Sequence, residues 1–288
     1  MKSVLSSSNL ETTAADTVKG FVWQAKEKLP KADSFIQTAN YFEQNLAKIQ
    51  KWDDVFNDPK LKDFAIAASC LSKKSLNHID AKEQRSTIES LIEIQKLKDP
   101  TYFSTIRARY FLTCGDSLGG SMRNAIGQNA QQKLTDLIIT ALQKQKQTVN
   151  INTNGNQKIV GVNWKDRFLY FDKKPAFIDK SVDLILVKGS NDIEKPSNYL
   201  ACGELKGGID PAGADEHWKT ASAALRRIND IFVGKNVASP KFFFVGAAIE
   251  KSMAAEIFAN LQANKLYAAA NLNHVAQMEE LVELLVNL

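Results

Sequence analysis

The chain has 288 residues, 44% of them hydrophobic and 24% charged, a globular balance that excludes wholesale disorder and a collagen-like fibre. No apolar run approaches the roughly 20 residues of a membrane-spanning helix; the longest, Phe242–Ile249, is strand-sized and carries a glycine. The net charge of +5 is unevenly placed: residues 101–150 carry six basic side chains against two acidic ones, and so hold four of the five excess charges.

From Asp16 to about Lys98 the apolar residues recur at helical spacing. Phe21, Ala25 and Leu29 form one such series, and Phe42, Leu46 and Ile49 another. Pro30 and the Asp58-Pro59 pair are expected to end helices there. Ile88, Leu91, Ile92 and Ile94 predict a helix over Gln84–Lys98, closed before Pro100. Leu134, Leu137, Ile138, Ala141 and Leu142 predict another over Ala125–Lys146. The Gly119-Gly120 pair reads as a loop between helices.

After Thr148 the period drops to two. Strands are predicted at Lys158–Asn163, Arg167–Phe171, Val182–Lys188, Tyr199–Lys206 and Lys241–Ile249, with turn clusters between them. A helix over Gly213–Phe232, with Trp218, Ala221, Leu225, Ile228 and Phe232 on one stripe, joins the fourth strand to the fifth. Helices at Glu250–Gln262 and His274–Val286 flank a further strand at Leu266–Leu272. The fold class is therefore α/β (α+β): a mainly helical region over residues 1–150, then a mixed-sheet core over residues 151–288. Trp23, Trp52 and Trp164 read as core aromatics.

The N-terminus opens polar and serine-rich, unlike a secretory signal. Cys70, Cys114 and Cys202 are odd in number and scattered, which argues against a disulfide framework and a thiolate zinc site. A soluble cytoplasmic protein with no membrane partner is expected.

The chemically loaded stretch is Asp183, then Gly203-Glu204-Leu205-Lys206. Period-two geometry puts Glu204 and Lys206 on one face of a strand and Leu205 on the other. If the strands of Asp183 and Glu204 are neighbours, all three polar groups converge. Two carboxylates and the Leu205 carbonyl are hard oxygen donors suited to Mg²⁺, and the lysine can orient water and counter charge on phosphorus. The bland alternative is an exposed strand face with a surface ion pair.

An acid, a gap, then acid-x-Lys is the signature of the PD-(D/E)xK nuclease fold, here with Val182 where a proline is usual. The stretch from Gly203 through Asp210-Pro211 to His217-Trp218-Lys219 resembles the AvaI/BsoBI group of type II restriction endonucleases, including a histidine eleven residues beyond the lysine. The segment Gly115–Asn124 also resembles restriction-enzyme sequence. The resemblance implies Asp183, Glu204 and Lys206 as the catalytic core. It places His217 beside the scissile phosphate, as general base or water-positioning group, a role for which an imidazole is suited near neutrality. His78 and His274 read as surface or capping residues.

Asp210 has two readings, a helix N-cap before Pro211 and, by resemblance, an acceptor for a cytosine amino group. Lys219 closes the same stretch and joins it as a DNA-contacting candidate. Gly207-Gly208 suits positive φ, a close approach to DNA, or a simple turn. Arg107, Arg109 and Arg123 around Gly119-Gly120 form a second candidate DNA surface, with ordinary surface charge as the alternative.

The leading expectation is a Mg²⁺-dependent, site-specific endonuclease on double-stranded DNA. The resemblance suggests a CYCGRG-like target, and a palindrome calls for a homodimer. The alternatives are a structure-specific repair or recombination nuclease of the same fold, a DNA-binding protein with a degenerate nuclease fold, and, more remotely, a small-molecule acid/base enzyme.

Overall fold

The computed structural model describes residues 1–155 and 158–288, Lys73 by its backbone alone. The chain forms two compact units, Trp23–Asn124, and Met1–Val22 together with Ala125–Leu288. The change of secondary structure near residue 150 is therefore not where the compact units divide.

Two long helices belong to both units: α1 (Ala14–Asn45) and α6 (Pro100–Lys144). The helical unit holds most of α1, then α2 (Trp52–Phe56), α3 (Pro59–Ala68), α4 (Lys73–Leu76), α5 (Ala81–Leu91) and the first half of α6. Its core stacks aromatic rings, Phe42 on Phe64 at 4.1 Å and Phe64 on Tyr110 at 4.5 Å between centroids. Asp58 does punctuate the chain: its carboxylate accepts from Lys60 N at 2.8 Å and Leu61 N at 3.2 Å, with Pro59 in the first helical position.

Three expectations fail in this half. Pro30 lies inside α1 and does not end it. It is exposed, and the lost hydrogen bond at one position is carried by the turns on either side. Gly119 and Gly120 are also helical, within the unbroken α6. The predicted loop does not exist, because glycine weakens a helix without forbidding it and the flanking residues are buried at helical spacing. The helix predicted over Gln84–Lys98 is shorter, ending at Leu91, with a separate 3₁₀ turn at Ile94–Lys96.

The other unit is built on a seven-stranded sheet whose strands lie in chain order. They are β1 (Asn150–Thr153), β2 (Ile159–Trp164), β3 (Arg167–Lys173), β4 (Val182–Lys188), β5 (Tyr199–Lys206), β6 (Lys241–Gly246) and β7 (Ala268–Asn271). Pairing is antiparallel from β1 to β5 and parallel from β5 to β7. Strand β1 was not anticipated; its four residues are exposed and carry no apolar alternation. The parallel strands are joined by α7 (Ala214–Gly234) and α8 (Lys251–Gln262), and α9 (Val275–Val286) closes the chain.

Both faces of the sheet are covered, as parallel strands require. One core packs α7 and α8 on Ile185, Val187, Cys202, Phe242 and Phe244. The other packs Ala130, Leu134, Ile138 and Leu142 of α6, with α9, on Leu184, Leu186, Ala201, Phe243 and Val245. Of the tryptophans, Trp164 and Trp218 are buried in these cores, whereas Trp23 and Trp52 are half-buried. The N-terminal segment is sewn to the sheet: Thr12 N donates to Ile249 O at 2.9 Å, and Thr12 Oγ1 donates to Ala247 O at 2.8 Å.

Candidate active site

Strands β4 and β5 run antiparallel with Leu184 opposite Gly203, so the next step along each sets Asp183 across from Glu204. Both side chains share the sheet face of Cys202 and Ile185, toward α7. Lys206, two residues on, projects from the same face, whereas Leu205 packs among the residues of the opposite core.

The three polar groups meet. Lys206 Nζ donates to Asp183 Oδ2 at 3.0 Å and to Glu204 Oε2 at 2.6 Å. The Leu205 N–H donates to the same Asp183 oxygen at 2.9 Å. The Glu204 side chain is only 4% exposed, those of Lys206 and Asp183 21% and 27%, so the cluster is buried at its root and open at Asp183. This is not a solvated surface pair.

Burial, and then the negative charge of Asp183, push the Glu204 carboxyl up from the usual 4.5 to about 7 despite Lys206. Burial works against the Lys206 ammonium, but the two carboxylates outweigh it and its affinity for the proton is raised. With both carboxyls ionised, the pair carries one negative charge more than Lys206 neutralises. Among the described residues, no group of three His, Cys, Asp or Glu side chains comes together. A cation at this cluster would therefore rely on two carboxylates and main-chain oxygen. In a strand, a residue's N–H and C=O face the same edge, so the Leu205 carbonyl lies on the edge whose N–H meets Asp183. The donor set is hard, anionic and short of positive charge, which fits a hard divalent cation.

His217 sits in the first turns of α7, half-buried. Its ring lies against the Gly208 backbone, where an added Cβ would stand 2.9 Å from His217 Cε1. Burial, and then the Lys206 charge, hold its pKa below the usual imidazole range. That shift favours the neutral imidazole, the form a general base needs. Gly207-Gly208 have no positive φ; the requirement for glycine is close approach to protein, to α6 at Gly207 and to His217 at Gly208.

The remaining predicted residues are more scattered. Asp210 caps the 3₁₀ turn Pro211–Gly213, accepting from Ala212 N at 3.0 Å, as the capping reading expects. Lys219 is exposed and paired with Asp215 at 2.6 Å. Arg107, Arg109 and Arg123 belong to the helical unit. Arg107 binds Glu43 Oε2 and Asn40 Oδ1, each at 3.0 Å, and Arg109 Nη1 donates to Leu91 O at 3.5 Å. Sixteen residues of helix, about 24 Å, separate Arg107 from Arg123, so the three do not clamp one loop. His274 stands at the N-cap position of α9 and His78 is exposed.

Sequence reasoning missed Gly203. A Cβ there would overlap the Phe243 ring on β6, so any side chain must displace that ring. A glycine in a strand is the available signal. A cavity of about 1030 Å³ beside α7 is lined by Trp218 and Arg226 but by none of Asp183, Glu204, Lys206 or His217.

The family described as restriction endonuclease BsobI matches residues 1–288. The chain belongs to the BsobI restriction endonuclease family. The type II restriction enzyme AvaI of Nostoc sp. is 35% identical over 305 aligned residues, covering 96% of each chain. AvaI of Anabaena variabilis matches equally, and the type II restriction enzyme BsoBI of Geobacillus stearothermophilus is 34% identical, over 97% of this chain and 95% of its own. A chain of the BsobI family is a type II restriction endonuclease: it binds DNA and hydrolyses phosphodiester bonds at specific sites. Enzymes of this type are generally metal-dependent. Among the described residues, no helix is long and apolar enough to cross a membrane.

Proposed function

We propose that Asp183, Glu204 and the Leu205 carbonyl hold Mg²⁺ and that Lys206 and His217 complete the catalytic site for cleavage of duplex DNA. The observation that carries this reading is the single ammonium of Lys206 reaching carboxylates from two adjacent strands within 3.0 Å. A bound Mg²⁺ supplies Lewis acidity toward the phosphate and lowers the pKa of water. His217, neutral at working pH, takes the proton from the attacking water at a ring nitrogen. Lys206 places positive charge where the pentavalent phosphorus gathers negative charge.

Asp210 and Lys219, on the α7 side, and Arg107, Arg109 and Arg123, in the helical unit, are the proposed DNA contacts. Among the described residues each chain carries one such cluster, so cutting both strands of a palindrome such as CYCGRG calls for a homodimer, each subunit cutting one strand. Among the described residues, Cys70, Cys114 and Cys202 form no disulfide, which suits a cytoplasmic enzyme.

The test is digestion of a phage DNA. With Mg²⁺ the protein should give discrete fragments, mapping to CYCGRG sites, and none with EDTA. Lys206→Ala should bind the same DNA without cutting it, and the protein should sediment at twice its 32.0 kDa chain mass. Cutting by Lys206→Ala at the native rate would remove the assigned site.

A further inference from the structure

Three consecutive residues after β5 each touch a different helix. A Cβ on Gly207 would stand 2.8 Å from Ala130 Cβ and 2.9 Å from Ile126 O on α6. One on Gly208 would meet His217 of α7, as described. Ile209, 4% exposed, presses on Gly20 of α1 so closely that a Cβ there would lie within its side chain, 2.9 Å from both Ile209 Cβ and Cγ2. All these residues belong to one compact unit. Gly20 and Ile126 each lie within two residues of the point where α1 or α6 passes into the other unit.

Two features say that this contact has a purpose beyond filling space. A glycine inside a helix weakens it relative to alanine, and Gly20 is the helical position that makes room for Ile209. Among the described residues, no hydrogen bond fixes the His217 ring; it is placed by packing on Gly208, and more loosely by Gly213, where a Cβ would stand 3.8 Å away. The loop that carries Gly208 is in turn placed by its neighbours.

We propose that Ile209, seated on Gly20, is a positioning residue for DNA cleavage: it keeps the Gly207–Asp210 loop against α6 and so holds Gly208 under the His217 ring. The proposal rests on the assignment of His217 and Lys206 above. A misplacement of about 1 Å in a reacting group can cost on the order of 10²-fold in rate, so positioning is read in kcat rather than in a general loss of fold.

The experiment compares Ile209→Ala, Gly20→Ala, the double variant and His217→Ala. Each is assayed for cleavage with Mg²⁺, for DNA affinity in EDTA and for thermal unfolding, at a temperature where it is folded. Ile209→Ala should lower kcat at least tenfold, a larger factor than any change in KM and Kd, to which Asp210 on the same loop contributes. Gly20→Ala should do the same, and the double variant, in which the new methyl occupies the vacated space, should cut faster than either single variant. A folded Ile209→Ala that cuts within threefold of native, a loss confined to KM and Kd, or a double variant slower than both singles overturns the proposal. If Gly20→Ala does not fold, Ile209→Ala and the double variant decide. His217→Ala cutting normally would overturn the underlying assignment, and this proposal with it; an inactive His217→Ala beside a fully active Ile209→Ala overturns this proposal alone.

Discussion

Glu204 is a carboxylate with too little water around it. Its carboxyl is pushed from 4.5 to about 7, first by burial and then by Asp183, so the folded protein holds that proton more tightly than the unfolded chain. The sign follows by linkage: the stability it contributes is fully present below pH 4.5 and lost as pH rises through 7. The gap corresponds to about 3 kcal/mol. Without divalent cations, the melting temperature of the native protein relative to Glu204→Gln should therefore fall between pH 5 and pH 8. If Glu204 is a ligand of Mg²⁺, as proposed, added Mg²⁺ should raise the native melting temperature more at pH 8 than at pH 5, because the ionised carboxylate binds it. Parallel pH curves for the two proteins would remove the residue from this role. On the proposed assignment, Glu204→Gln should also abolish cleavage while leaving DNA affinity intact or higher, since it would remove a metal ligand and a charge facing the phosphate. Near-native cutting by this variant would be decisive against the site.

At the level of elements, the site is a consequence of how β5 is flanked. Its antiparallel partner supplies Asp183 and its parallel partner supplies the Phe243 ring that lies over Gly203. Phe243 is fully buried, so Gly203→Ala overpacks the sheet by about 1–3 kcal/mol. Melting temperature and cleavage should both fall, and Phe243→Leu in the same chain should restore part of each; no effect of Gly203→Ala on melting would show that the ring yields freely. Strands β4 and β5 were legible to the residue, because period-two alternation and β-branched residues act locally and nothing overrides them. The meeting of Asp183, Glu204 and Lys206 was legible conditionally, since the alternation fixes the face and leaves only the neighbour open. The Gly20–Ile209 contact was not legible, because residues 189 positions apart meet through tertiary packing that no local pattern records. Pro30 and Gly119-Gly120 misled for the opposite reason. Local breakers were outweighed by long helices whose remaining turns and buried residues hold them straight through.

At the scale of the molecule, charge and chemistry are distributed differently. The proposed catalytic cluster is made by a unit whose residues 151–288 carry equal numbers of basic and acidic side chains, sixteen of each. The excess positive charge lies in residues 101–150, mostly along α6. Arg107 there is already engaged by Glu43 and Asn40, whereas Arg123 is exposed. If α6 meets the DNA backbone, Arg123 is the group with the freedom to do so. Each phosphate it neutralises releases condensed counterions and adds about −0.9 to the slope of log affinity against log salt. Arg123→Ala should therefore flatten that slope by about one and weaken binding alike for cognate and non-cognate DNA, with the cutting rate of bound DNA little changed. Titrations across a range of salt on both DNAs measure this. An Arg123→Ala slope equal to the native one would mean that the arginine stays in water and the positive field of α6 acts at a distance, speeding encounter without contact.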